Sequence, residues 1–403
     1  MRAGILYSCI ISVVLGLCKK WMVDVKQVMA ILVVLAMVGI AWGGEVRTMR
    51  VPEGGIQPQV AVDERGTVHL LYYNGPEAHG DLFYAKSVDG GVSFSKPMRV
   101  NSQEGSAVAT GTIRGGHIAT GRGGRVHVAW MGSDRAEPKP GGKGTPMLYA
   151  RLNDAGAAFE PQRNVIQEKV GLDGGGSVAA DGLGNVYVAW HAPNRPKAGE
   201  AAREVWVAQS TDDGKNFAKE REAWKEPTGA CGCCGMRMFA DASGGTYILY
   251  RSATEMVHRD IWLLMAKRGE AFSGKKVGEW EIGKCVMSSA SFAPILGAKS
   301  GAIAAWESQD NVFWARTDAA EERFAPTGKG NNRKHPVAAV NSAGQVILAW
   351  TEGTGWQKGG NLAWQIFEAD GKVVENSFGK MDGVLVWSMA AVFAKGEDFV
   401  IIY

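Results

Sequence analysis

The sequence predicts an all-β protein, a β-propeller of six or seven four-stranded blades. Three observations predict it: glycines scattered along the whole chain, a short turn-and-strand motif that returns seven times, and a spare strand near the N-terminus that can complete the last copy. With 403 residues, 46% of them hydrophobic and 21% charged, the chain can bury a large core. Its 54 glycines repeatedly flank short apolar runs, the punctuation of many tight turns.

The repeat opens on a turn with Asp, Asn or Gly and runs into β-rich residues that end on an aromatic. It reads DERGTVHLLYY from Asp63, GRGGRVHVAW from Gly121, DGLGNVYVAW from Asp181 and DASGGTYILY from Asp241. It continues as KSGAIAAW from Lys299, NSAGQVILAW from Asn341 and KGEDFVIIY from Lys395. Alternation within each copy marks a half-buried strand. Short apolar runs such as 177–181 and 336–340 precede most copies, and a further strand such as DLFYAKS or EVWVAQS often follows. About four short strands per unit of roughly 45 to 60 residues is the pattern of a propeller blade. The last copy ends at the C-terminus, so EVRTMRV (45–51) is free to complete it, close the ring and protect strand edges.

Residues 1–44 differ from the rest. Two apolar runs, 5–17 and 28–41, are separated by Lys19, Lys20 and Lys26, and the second exits through small residues. That pattern predicts a signal peptide or an N-terminal membrane anchor, followed by one propeller domain over 45–403. Each run is shorter than the ~20 residues of a membrane span. The expected localisation is therefore exported, with attachment to a membrane through the N-terminus as the alternative. The formal charge of +3 belongs mostly to this segment, since residues 45–403 hold 40 basic and 40 acidic side chains. No global electrostatic case for nucleic acid follows.

Three turns share a second motif: SVDGGVSF (87–94), LNDAGAAF (152–159) and STDDGKNF (210–217). Each places Asp, Gly and Phe at the same offsets. The motif resembles the Asp-box of the sialidase or BNR-repeat superfamily, and the resemblance covers nearly all of 45–403 in repeat pattern. It implies structural roles for Asp89, Asp154 and Asp212, whose side chains would accept backbone N–H groups within each turn.

In a propeller, strand A leaves one face near the axis, B returns to it and C runs away again. The loops leading into A and the B-to-C connections therefore share a face, and the Asp-box turns lie opposite. Five arginines fall on the face shared by these two sets of loops, closest to the axis: Arg114, Arg237, Arg251, Arg259 and Arg333. His117, His258, His335, Trp356 and Trp387 accompany them. A cationic, aromatic-walled axial pocket is the expectation, suited to a carboxylated sugar or other small anion, because guanidinium grips carboxylate with two parallel hydrogen bonds. His69 and His127 share a position on the B strands and read as structural.

The resemblance also implies a test. Sialidases use an arginine triad, an aspartate acid/base and a tyrosine nucleophile partnered by glutamate. Arg114, Arg237 and Arg333 could supply the triad, but Arg114 is followed by two glycines rather than by the family's Ile-Pro. No tyrosine lies between Tyr250 and Tyr403 to serve as a late-blade nucleophile, which argues against exo-sialidase activity. Asp260, Glu307 and Glu352 share the face and are the catalytic candidates for acid/base hydrolysis of a glycan. A non-catalytic propeller that binds glycan or protein is the alternative.

Finally, GACGCCGMRM (229–238) holds three of the six cysteines. Cleavage of the leader would remove Cys9 and Cys18. Cys285 lies one repeat beyond the cluster, at the equivalent loop of the next blade. An adjacent pair and a one-residue gap close strained rings, so the favoured pairing is Cys231–Cys234 as a local loop and Cys233–Cys285 as a staple between blades. Other pairings, redox chemistry, and a four-sulfur zinc or copper(I) site aided by Met236 or His258 are the alternatives. No metal or cofactor is assigned.

Overall fold

A computed structural model describes residues 44–142, 144–194, 199–330 and 332–403. The export signal and the anchor read from residues 1–44 lie outside the described residues, apart from Gly44. Among the described residues the strands form seven sheets arranged as a propeller. Blade 1 comprises Ile56–Val62, Val68–Asn74, Asp81–Ser87 and Met98–Arg99. Blades 2 to 4 begin at His117–Thr120, Gly176–Ala180 and Arg237–Ala240, and each also has four antiparallel strands. Blade 6 starts with Arg333–Val340 and ends with Gly379–Val384. Blade 5 keeps three strands, Ser291–Pro294, Ala302–Ser308 and Asn311–Arg316, with Phe324 bridging Trp314 where a fourth would lie.

In four of the seven repeats the first residue explains the turn. Asp63 Oδ1 accepts the N–H groups of Arg65 and Thr67, both at 2.9 Å. Asp181 does the same for Leu183 and Asn185, and Asp241 for Ser243 and Gly245. Asn341 repeats the arrangement with Ala343 and Gln345. A short acceptor side chain thus satisfies the donors that a tight A-to-B turn leaves free, and it fixes the register of the hairpin that follows.

The last residue of each repeat explains the packing. Tyr73, Trp130, Trp190, Tyr250, Trp306 and Trp350 are all buried at the ends of the B strands. The core is divided into slabs, each between two neighbouring blades: Tyr73 and Trp130 share one, Trp350 and Trp314 another. His69 and His127 are buried on the B strands, where Nδ1 of each meets the hydroxyl of the neighbouring C-strand tyrosine, Tyr84 at 2.8 Å and Tyr149 at 2.7 Å.

The Asp-containing turns between C and D divide. Asp89 accepts from Val92 and Ser93 N–H at 3.0 Å, and Ser87 Oγ donates to it. Asp212 accepts from Asn216 N–H at 2.8 Å, with Ser210 in the place of Ser87. In blade 2 that serine is replaced by Leu152. There Asn153 accepts the turn's N–H, from Ala157 at 3.1 Å, while Asp154 pairs with Arg125. The turn phenylalanines reach the preceding blade: Phe159 lies edge-on to Tyr84 and Phe217 edge-on to Tyr149.

Ring closure uses both chain ends. Ala391–Lys395 and Asp398–Ile402 form the first two strands of blade 7, and Val46–Met49 adds the third. The added strand runs parallel to Asp398–Ile402. Direction follows from connectivity: a parallel strand ends on the face where blade 1 begins, so residues 50–55 suffice to reach Ile56. Phe399 N–H donates to Glu45 O at 2.8 Å, Tyr403 N–H to Met49 O at 3.1 Å, and Val51 N–H to Tyr403 O at 3.2 Å. Deleting residues 45–51 should cost at least about 3 kcal/mol, the burial of two or three apolar side chains. It should also expose an edge that self-associates. Urea unfolding and sedimentation of the deleted chain check both effects.

Candidate functional site

Where the sequence predicts an open axial pocket, the loop 111–116 covers the axis. Ile113 is buried, and a Cβ placed on Gly235 of blade 4 would fall 3.3 Å from the Ile113 Cβ. Gly175 of blade 3, at φ +76°, passes under the Ile113 carbonyl where no side chain would fit. On the other side, Gln57 Nε2 donates to Ala109 O at 2.6 Å and to Trp387 O at 2.8 Å, which ties blades 2 and 7 to blade 1.

Four of the five candidate arginines have carboxylate partners. Arg114 pairs with Asp173 at 3.1 Å, Arg259 with Glu200 at 2.8 Å, Arg333 with Glu352 at 3.3 Å, and Arg251 with Glu307. Arg333 also donates to Asn311 Oδ1 and to the Pro326 and Thr327 carbonyls, so its guanidinium knits blades 5 and 6. The catalytic candidates are consumed in the same contacts. Asp260 binds Lys276 at 3.0 Å and accepts the Trp280 N–H. Glu352 meets Lys380 at 2.8 Å as well as Arg333, and accepts from Trp350 Nε1. Burial drives the Glu307 carboxyl up to about 7 against the opposing pull of Arg251. These three carboxylates sit in separate ion pairs rather than in one catalytic arrangement.

Arg237 differs. It opens strand A of blade 4 and reaches across the axis to Gln59 of blade 1, donating to Gln59 Oε1 at 2.7 Å. Its Nε contacts Ala290 O at 3.4 Å, and no carboxylate approaches it among the described residues. Burial alone brings it down to about 10, still a cation at neutral pH. Below it runs an axial cavity of about 290 Å³ lined by strand A of every blade, including Val60, Ile118, Val178, Met238, Val337 and Val392. The cavity extends to Ala242, Ala298 and Gly301, at the A-to-B turns, and so lies on the face opposite the one predicted.

The other candidates scatter. His117 is buried beside Arg237, and burial followed by that charge holds it well below its usual pKa. His335 is buried, bonds Ser289 Oγ at 3.1 Å, and is pushed down to about 3 by burial and Lys334. His258 is half-buried near Glu255. Trp356, 56% exposed, stands edge-on to buried Trp387 with ring centroids 4.7 Å apart, on the covered face near Arg114.

Cys233 and Cys285 form a disulfide between blades 4 and 5, with Cα atoms 6.3 Å apart. The second expected pairing, Cys231–Cys234, is not formed. Cys231 Sγ lies 3.4 Å from Cys234 Sγ and 3.3 Å from Cys233 Sγ, in contact with both and bonded to neither.

Sequence reading missed Gln59, Asp173, Glu200 and Arg203. Asp173 holds Arg203 at 3.0 Å as well as Arg114, and Glu200 accepts from Gly232 N–H at 2.7 Å. Gln59 holds the A-strand register position that His117 and Arg237 hold in blades 2 and 4, which was the available signal for it.

The ion pairs and histidines yield two expectations. Glu307→Ala leaves Arg251 buried and unpaired, and should cost about 3–5 kcal/mol in denaturant unfolding, with Glu307→Gln milder. His117, His127, His191 and His335 all have pKa values lowered by burial, to about 3 for His127 and about 4 for His191. The unfolded chain takes up these protons near pH 6.5, and the folded chain only far below it. Stability is therefore full above that pH and falls on acidification toward about 4, by about 1.4 kcal/mol per pH unit for each histidine. His191→Gln should flatten the slope measured from urea midpoints between pH 7 and 4.5.

No family model matches the sequence, and no curated protein matches it. Solved structures do. A protein of unknown function from Dyadobacter fermentans superposes with a TM-score of 0.50 at 13% identity, over 77% of this chain and 93% of that one. The GH93 α-L-arabinofuranosidase of Fusarium graminearum, in complex with arabinobiose, gives 0.50 at 12%, over 77% and 92%. A Hadza microbial sialidase, Hz136, gives 0.47 at 12%, over 79% and 69%. At these identities the likeness is one of fold: the chain is a seven-bladed β-propeller.

Proposed function

We propose that this protein is an exported binding propeller that takes one small carboxylated ligand, a uronic or sialic acid type of sugar, in its axial cavity with Arg237 on the carboxylate. The observation that carries the reading is the contrast among the arginines. Four are paired with carboxylates, whereas Arg237 faces a cavity with a neutral amide as its only side-chain partner. A cation held in low dielectric without a counter-charge is attractive to an incoming anion. The volume sets the size: about 290 Å³ is at the lower limit of ligand pockets, enough for one sugar ring and too small for an oligosaccharide. Val60, Val178, Val337 and Val392 offer apolar walls to the carbon face of such a ring. The arabinobiose complex of a propeller with the same fold supports a carbohydrate as the ligand class.

Binding is preferred to hydrolysis because Asp260, Glu307 and Glu352 are each held by a cation and none lines the cavity. Export rests on the basic and apolar pattern of residues 1–44. Calorimetry with glucuronate, N-acetylneuraminate and glucose tests the site. The acids should bind and glucose should not; Arg237→Ala should weaken the acids by roughly 10- to 100-fold, the worth of a charge-assisted hydrogen bond. Equal binding of glucose, or affinity unchanged in Arg237→Ala, overturns the reading.

A further inference from the structure

The sulfur cluster beside the axis is more crowded than a staple requires. Cys231, Cys233 and Cys234 have all three Sγ atoms within 4.8 Å of one another, and the fourth sulfur, Cys285, is bonded to Cys233. All four therefore occupy one small volume, supplied by equivalent loops of two neighbouring blades. A zinc ion at 2.3 Å from four thiolates holds its ligand sulfurs about 3.8 Å apart. The contacts at 3.3 and 3.4 Å are already within about half an ångström of that spacing.

The surroundings fit a thiolate cluster. Ser288 N–H donates to Cys234, and Arg251 and Arg259 both face that sulfur. Four thiolates around a divalent zinc carry a net charge of −2, and Lys334, which has no carboxylate partner among the described residues and donates to the Val286 carbonyl, offsets part of it beside the Arg251 and Arg259 ion pairs. Trp280, Ile282 and Val286 pack against the cysteines as an apolar shell. Beside it lies a second cavity, lined by Trp280, Lys284, Cys285, Asp310, Asn332 and Lys334, which gives access to the exposed sulfur of Cys285.

We propose that Cys231, Cys233, Cys234 and Cys285 together form a tetrahedral zinc site in the reduced protein, and that the Cys233–Cys285 disulfide is the alternative, metal-free state of the same cluster. Filling the site takes two steps. A thiol or phosphine reductant supplies two electrons that split Cys233–Cys285 into two thiols; a dithiol leaves as its disulfide, a phosphine as its oxide with the oxygen from water. Zn²⁺ then binds the four sulfurs as thiolates, and their remaining protons go to solvent. A small-molecule disulfide that accepts two electrons and leaves as two thiols reverses both steps: Cys233–Cys285 re-forms, zinc is released, and Cys231 and Cys234 regain protons from solvent.

The test uses the full chain carrying Cys9→Ser and Cys18→Ser, so that only these four sulfurs are counted. The oxidised protein and protein reduced with a phosphine under anaerobic conditions are each offered Zn²⁺, and bound metal is measured after gel filtration. One zinc per reduced chain and almost none per oxidised chain is expected. In the zinc-loaded protein the four thiols should be blocked to a thiol reagent and freed by a chelator. Co²⁺ in place of Zn²⁺ should give sulfur-to-metal charge-transfer absorption. Cys231→Ser and Cys285→Ser should each weaken zinc by at least 100-fold, while His258→Ala leaves it unchanged. No uptake by the reduced Cys9→Ser/Cys18→Ser chain, or uptake that does not block the thiols, overturns the proposal. That result needs no change at the four clustered cysteines, so misfolding of a Cys231 or Cys285 mutant cannot obscure it.

Discussion

The backbone pairing of Val46–Met49 with Asp398–Ile402 is the interaction on which the rest of the molecule depends. The buried side chains lie between blades rather than in one central mass, so each slab exists only while both of its blades are in place. The slab joining the chain ends contains Val51, Val68, Leu70, Tyr72, Phe393, Val400 and Ile402, contributed from opposite ends of the sequence. Opening that seam removes a hydrophobic interface and frees a strand edge in one event. The seven-fold arrangement of A strands around the axis, and so the axial cavity itself, persists only under this closure.

Closure also explains why the charges are distributed as they are. The loops that converge on the covered face bring many guanidiniums close together, and unpaired cations there would be costly to bury. The structure resolves this by pairing across blade boundaries: Arg251 of blade 4 with Glu307 of blade 5, and Arg259 of blade 4 with Glu200 of the preceding B-to-C loop. Such pairs hold the loops in register while leaving little net charge for a ligand on that face. Arg237 escapes because it sits on the strand nearest the axis, where its neighbours are the His117 ring and small or apolar side chains and the far wall offers only the Gln59 amide.

The repeat was legible because it has a local cause. A turn acceptor such as Asp181 and a strand-ending aromatic such as Trp190 recur at fixed offsets, and the blade follows from them. Cys233 and Cys285 were legible as neighbours for the same reason, since they occupy equivalent loops one repeat apart. The site was legible only in part. That Arg237 points inward could be read from its place before strand A, but the face on which the cavity lies depends on how far each loop reaches over the axis. The loop carrying Ile113 belongs to no repeated pattern, and its length alone does not say that it covers the centre. Ion-pair partners such as Arg251 and Glu307 are 56 residues apart and come from loops that repeat analysis treats independently. The Asp154 turn shows the limit within the motif itself: one lost serine, at Leu152, transfers the acceptor role to Asn153.

The segment 229–237 joins the two chemistries of the molecule. Its cysteines face blade 5, where Cys233 bonds Cys285, and three residues beyond Cys234 the arginine faces the axis. Glycines at 229, 232 and 235 make the segment compact enough to pass between Ile113, Asp173 and Arg203, and they also make it intrinsically mobile. Cross-linking by sulfur removes that mobility, whether through Cys233–Cys285 or through a shared metal ion. Each backbone residue left free to move would lose roughly 1–2 kcal/mol of entropy on being ordered by a ligand. A loop already fixed at its sulfur end loses little more when an anion meets Arg237. The brace and the guanidinium are therefore parts of one device, in which the cysteines determine how rigidly Arg237, the one cation lining the cavity among the described residues, is presented to it.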